Sequence, residues 1–141
     1  MYLRFPFIKY NRGYTLLDEI PKGWKKAFGV QMCKEIKDAL LREGGRKALK
    51  AYRVTDVKEK YGSLQWYDEY GNDEVSDIIV KYECISSFTC VVCGRPAKYQ
   101  AQDWICPYCE DHIGRRPNKR FWYDLDFYGY RAYRHDDSEE N

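Results

Sequence analysis

The sequence predicts an α+β fold, with helices packed on a small β-hairpin sheet and a cysteine-built module after them. Three observations predict it. Two stretches place apolar residues at helical spacing, one over 32–41 and one over 75–85. Two runs of strand formers, 52–57 and 64–67, flank a turn that contains Gly62. Last, Cys90-Val91-Val92-Cys93 and Cys106-Pro107-Tyr108-Cys109 set two CxxC pairs twelve residues apart.

The elements follow in chain order. Residues 2–8 alternate loosely, and Pro6, which has no amide to donate, makes them an edge strand or an extended lead-in. Asn11-Arg12-Gly13 is a turn. Pro21-Lys22-Gly23 is a break, and Trp24-Lys25-Lys26-Ala27-Phe28 starts a helix interrupted at Gly29. The first long helix carries Met32, Ile36, Leu40 and Leu41 on one face. It ends at Gly44-Gly45, and a short helical turn follows over 46–50. Residues 58–63 supply the hairpin turn. Asn72 caps the next helix, with Asp73 and Glu74 where the helix dipole favours acids. Its apolar stripe is Val75, Ile78, Ile79, Tyr82 and Ile85, and it runs to about Ser86.

The cysteine pattern calls for metal. Zn²⁺ prefers four soft ligands in a tetrahedron, and a CxxC turn aims two thiolates at one point. Gly94, directly after the first pair, suits the tight turn such a knuckle needs. The stretch between the pairs has room for two short strands and a turn. The expected ligands are Cys90, Cys93, Cys106 and Cys109, a four-cysteine zinc ribbon whose closed site is structural rather than catalytic. A thioredoxin-type redox pair would need a βαβ context that the chain lacks. The chain thus divides into an α+β domain at 1–87, a ribbon at 88–112 and a basic, aromatic extension with an acidic tail at 113–141. Cys33 and Cys84 read as small buried hydrophobes.

Composition narrows the function only slightly. The net charge of +2 is too small to imply a nucleic-acid partner without local clusters. No segment approaches the ~18 consecutive apolar residues of a membrane span. The N-terminal apolar run is short and lacks a signal-peptide cleavage site, so reduced thiols and a cytoplasmic setting are expected. Fourteen Tyr, six Phe and four Trp suit half-wet surfaces as well as a core.

The chain resembles a family of small zinc-ribbon proteins, of unassigned function, from tailed bacteriophages and prophages. The likeness covers residues 23–112. It rests on Gly23-Trp24 with Cys33 and Ile36, and on Val57-Lys58-Glu59-Lys60-Tyr61-Gly62-Ser63-Leu64-Gln65-Trp66-Tyr67, a match to a VKEKFGGLRFY-like hairpin. It continues in Thr89 to Pro96 around the first CxxC, and in Trp104 before Cys106 and Cys109. Ser63 and Gln65 replace the second Gly and the Arg of that pattern, and the aromatic extension is not a family feature. The resemblance implies a phage or prophage origin, a bacterial host cytoplasm and a structural zinc. Trp24, Trp66 and Trp104 are each expected in the core or shielding the metal.

Three classes of function remain. The first is a non-enzymatic regulatory protein that binds and modulates or inhibits a host macromolecule, such as a defence or nucleic-acid-processing enzyme, with a host protein as partner. Seven aromatics between Phe121 and Tyr133, interleaved with arginines, favour it, because Tyr, Trp and Arg dominate binding hot spots. The second is a DNA- or RNA-binding ribbon, in which Arg115, Arg116, Lys119 and Arg120 meet phosphates while Trp122 and Tyr123 stack on bases. Asp124, Asp126 and the acidic tail count against it. The third is a nuclease. Asp111-His112-Ile113 with Asn118 is similar to the Asp-His-Ile…Asn order of HNH nucleases, in which a His activates water. Here the triplet follows the second CxxC instead of lying between the pairs, and His112 reads more simply as a residue beside the zinc. The chain is expected not to be an enzyme.

Overall fold

The computed structural model describes residues 5–121. It is a mixture of helices and small antiparallel sheets, as the sequence predicts. Residues 2–4 of the expected lead-in lie outside the described residues, and its later part is not extended. Pro6–Ile8 form a 3-10 turn, because Phe5, Phe7 and Ile8 are all buried and a strand would turn Phe7 and Ile8 to opposite faces. A small hairpin, β1 (Lys9–Asn11) and β2 (Tyr14–Thr15), follows around Arg12-Gly13. Then comes a 3-10 turn, Leu16–Glu19. Its start is capped reciprocally: Leu17 N–H donates to the Thr15 hydroxyl and Thr15 N–H to Asp18 Oδ2.

The expected interruption at Gly29 is a widening instead. The short helix α1 (Lys22–Trp24) runs into a π-turn, Lys25–Gly29, and on into α2 (Val30–Ala51) without a break. Lys25 in the π-turn pairs with Asp18, and Trp24 stacks on Phe28. The backbone of α2 departs from helix at Gly45 (φ 66°, ψ −158°), so residues 46–50 form the separate helical piece that two adjacent glycines predict.

The main hairpin pairs β3 (Arg53–Lys60) with β4 (Ser63–Glu69). Its turn is only Tyr61-Gly62, both at positive φ (53° and 84°), so the strands reach further than expected. Helix α3 (Asp73–Ser86) starts at Asn72, whose side chain accepts from Val75 N–H at 2.8 Å. Its predicted stripe, Val75, Ile78, Ile79, Tyr82 and Ile85, is buried. One core joins α2, α3, the hairpin and the lead-in, with Trp24, Ile36, Leu40, Val57 and Leu64 among its most enclosed members. Trp66 donates from Nε1 to Tyr52 Oη at 3.0 Å, and Glu35 on α2 accepts from Lys81 and Tyr82 of α3. Cys33 is fully buried, as expected, and burial pushes its thiol up to about 12. No helix among the described residues is long and apolar enough to cross a membrane.

After α3 come β5 (Tyr99–Ala101), β6 (Cys106–Tyr108) and β7 (Lys119–Phe121), in a sheet of order β6-β5-β7. These short strands, with the loop before them, position the cysteines.

Candidate metal centre

Thr89 opens the site. Its hydroxyl donates to Ile85 O at the end of α3, and its backbone pairs with Pro96. Inside that bridge Cys90 N–H donates to Arg95 O (2.8 Å) and Gly94 N–H to Cys90 O (3.0 Å). These bonds close the tight turn that CxxC-Gly predicts, and they aim Cys90 and Cys93 at one point. The turn is also held from outside. Gly23 N–H donates to Val91 O at 2.8 Å, Trp24 Nε1 to Thr89 O at 2.8 Å, and Val91 N–H to Pro107 O at 3.1 Å. At Gly23 only glycine fits: a Cβ would stand 2.2 Å from Cys90 O and 2.7 Å from Gly94 N. The first turn of α1 therefore lies directly on the knuckle.

The β5–β6 hairpin delivers the remaining donors. Past β6 the backbone curls into a helical turn in which His112 and Ile113 N–H both donate to Cys109 O at 3.1 Å. Residues three apart on such a turn share a face, so Cys109 and His112 both look at the knuckle. Cys93 Sγ lies 3.7 Å from Cys109 Sγ, and His112 Nδ1 lies 3.2 Å from Cys109 Sγ and 3.7 Å from Cys90 Sγ. All four donor atoms fall within 4.8 Å of one another. Metal–sulfur bonds of ~2.3 Å in a tetrahedron set sulfurs about 3.8 Å apart. Cys90, Cys93, Cys109 and His112 could therefore hold a metal ion.

Three of the four expected cysteines are in this group, and His112 stands where Cys106 was expected. The reason is backbone geometry. Cys106 begins β6, so an extended segment separates it from Cys109, and the second CxxC is not folded as a knuckle. Its buried sulfur lies 3.9 Å from Glu59 Oε2 instead, and burial, with Glu59 beside it, pushes the thiol up to about 11. The signal for His112 was present in the sequence as Cys109-x-x-His112, a spacing that suits Cys and His ligands equally.

Arg95 lies against the sulfurs. Its Nε donates to Cys93 Sγ at 3.4 Å, and its Nη2 reaches Cys109 Sγ at 3.8 Å and Asp111 Oδ2 at 2.6 Å. Burial pushes the Cys93 thiol up, but donation from the Arg95 side chain and backbone outweighs it and holds the group down to about 6. A thiol so placed is a ready thiolate ligand.

The other expected site residues are spread out. Arg115, Lys119 and Arg120 are exposed. Arg116 is half-buried, stacked over the Tyr108 ring at 4.6 Å and 3.8 Å from Asp103. Lys119 lies over Tyr99 at 4.7 Å. Trp122 and Tyr123 lie outside the described residues. Trp24 and Trp66 are core residues, but Trp104 is 73 % exposed and shields no metal. It sits on the β5–β6 turn, where no element packs over it. No protein-family model matches the chain, and no curated protein or solved structure is significantly similar to it.

Proposed function

We propose that this chain is a small zinc-braced binding protein that occupies and modulates another macromolecule and carries out no reaction of its own. The observation that supports it is the donor set. Three thiolates and an imidazole suit zinc, and four protein ligands leave no position open for a water or substrate. A metal held this way shapes a surface rather than performing chemistry. The same geometry bears on the nuclease reading: a His112 that gives Nδ1 to the metal is not poised at that nitrogen to activate water.

The resemblance to phage and prophage proteins suggests a target in a bacterial host, with a defence or nucleic-acid-processing enzyme as the class. The test is a pull-down of the tagged, zinc-loaded protein from bacterial lysate, with and without nuclease treatment, read by mass spectrometry and nucleic-acid staining. A stoichiometric partner recovered in either form supports the reading. Turnover of nucleic acid that disappears in His112→Ala would overturn it.

A further inference from the structure

Two strongly exposed aromatic rings among the described residues lie on neighbouring turns. Tyr61, at the tip of the β3–β4 hairpin, is 74 % exposed, and Trp104, on the β5–β6 turn, is 73 % exposed. The two turns meet, with Gly62 against Ile105, and the rings rim a groove of about 360 Å³ between them. Its lining carries one cation, Lys60, and two carboxylates, Glu59 and Asp103, and further basic groups lie beside it. Lys60 lies 6.0 Å from the centre of the Tyr61 ring. The turn carrying Trp104 is joined to the basic run by Gln102 N–H donating to Asn118 O and by the Arg116–Asp103 pair. Arg115, Lys119 and Arg120, all exposed, belong to the segment so joined to the Trp104 turn, and of the two acids in the groove only Asp103 has a cation opposite it. Glu59 accepts from Gly62 N–H, and Asp103 faces Arg116.

We infer that the Tyr61–Trp104 groove and the adjoining basic run bind single-stranded nucleic acid, the bases stacking on the two rings and the phosphates meeting Lys60, Arg115, Lys119 and Arg120. Exposed rings beside cations are what an unpaired strand recognises: every base has a stackable face, and every linkage carries a charge. A duplex hides its base faces, so it gains only the charge term. The inference names the partner class for the binding reading above and rests on it.

The test is fluorescence anisotropy of labelled 20-nucleotide oligo(dT) and oligo(U) with the zinc-loaded full chain. Single strands are expected to bind more tightly than a duplex of equal length. Neutralising about four phosphates makes the affinity fall about 50-fold between 50 and 200 mM salt. Trp104→Ala is expected to weaken binding about ten-fold or more while melting as wild type, since the ring is exposed. Lys119→Ala is expected to flatten the salt dependence. No binding, equal affinity for duplex, or unchanged affinity in both Trp104→Ala and Tyr61→Ala overturns the inference. If a nuclease-resistant protein partner is captured while oligonucleotides fail to bind, this inference falls and the binding reading stands. If neither binds, both fall.

Discussion

Replacing Gly23 with alanine should damage the candidate metal centre, although Gly23 is not among its ligands. The added Cβ would meet three backbone atoms of the first knuckle: Cys90 O at 2.2 Å, Gly94 N at 2.7 Å and Val91 C at 2.7 Å. None of these can rotate away as a side chain could. Either α1 lifts or the knuckle shifts, and in both cases the Gly23–Val91 hydrogen bond is strained. Overpacking a close contact costs about 1–3 kcal/mol, and a lost hydrogen bond adds about 1 kcal/mol. The sum of about 2–4 kcal/mol falls on the arrangement that the metal requires. At 1.4 kcal/mol per tenfold, zinc affinity should drop about 30- to 700-fold. The assay is competition for Zn²⁺ against a chromophoric chelator, beside a thermal melt of the zinc-loaded protein. Gly13→Ala is the control. Gly13 has φ 85° with no atom within 4 Å of its Cβ position, so that substitution should cost backbone strain and leave zinc affinity alone. Wild-type affinity in Gly23→Ala would refute the claim that α1 braces the knuckle.

Further outcomes follow from the same contacts. His112→Ala should lose zinc retention under dialysis, whereas Cys106→Ala should keep one zinc per chain by metal analysis; the reverse result would restore Cys106 as the fourth ligand. Chelation by EDTA should lower the melting temperature, because the binding energy of a structural zinc is also folding energy. Trp104→Ala should melt within a degree or so of wild type, since the usual cost of about 3–5 kcal/mol applies to a buried ring and this one is exposed. Asp18 and Glu35 both titrate below their ordinary values, Asp18 through Lys25 and Thr15, Glu35 because Lys81, Tyr82 and Gln31 outweigh its burial. Their stabilisation is complete above the unfolded values of 3.8 and 4.5, and is lost as pH falls through the depressed folded values. Denaturation series from pH 6 to 2 should therefore show a shallower acid loss in Asp18→Asn and Glu35→Gln than in wild type.

The parts of the fold legible in the sequence are those whose signals are local. Asn72, Asp73, Glu74 and the stripe from Val75 to Ile85 each point to one helix, and α3 begins and packs accordingly. The CxxC motifs likewise pointed to the candidate metal centre, three of whose four donors they supply. The fourth candidate ligand was signalled only by the Cys109-x-x-His112 spacing, and that Cys106 stays out of the group depends on the chain at Cys106 being extended. Pairing of residues 106–108 with β5 makes that segment extended, and such pairing is a tertiary fact. The lead-in shows the same limit. The alternation of residues 2–8 suggested extended chain, but the core takes in Phe7 and Ile8 together, and only a turn permits that. Trp104 was placed with the other tryptophans by its position before a cysteine. Its exposure follows from its place on a tight hairpin turn, which is a tertiary fact.

The metal centre and the aromatic groove share no residue, yet the fold makes one depend on the other. Trp104 lies on the turn between β5 and β6, and β6 ends one residue before the candidate ligand Cys109. Tyr61 belongs to a different sheet, and what fixes its distance from Trp104 is the seat of Gly62 on Ile105. β6 itself is held by its pairing with β5, by the Val91–Pro107 hydrogen bond beside the knuckle and by the candidate ligand Cys109 that follows it. If Cys109 holds the proposed zinc, removing the ion loosens the last of these holds. On the proposed readings, the spacing of the two rings should then loosen although neither touches the metal, and the oligonucleotide binding inferred above should weaken on zinc removal before the helical core melts. A structural metal can in this way govern binding at a distance, by holding two turns at one spacing.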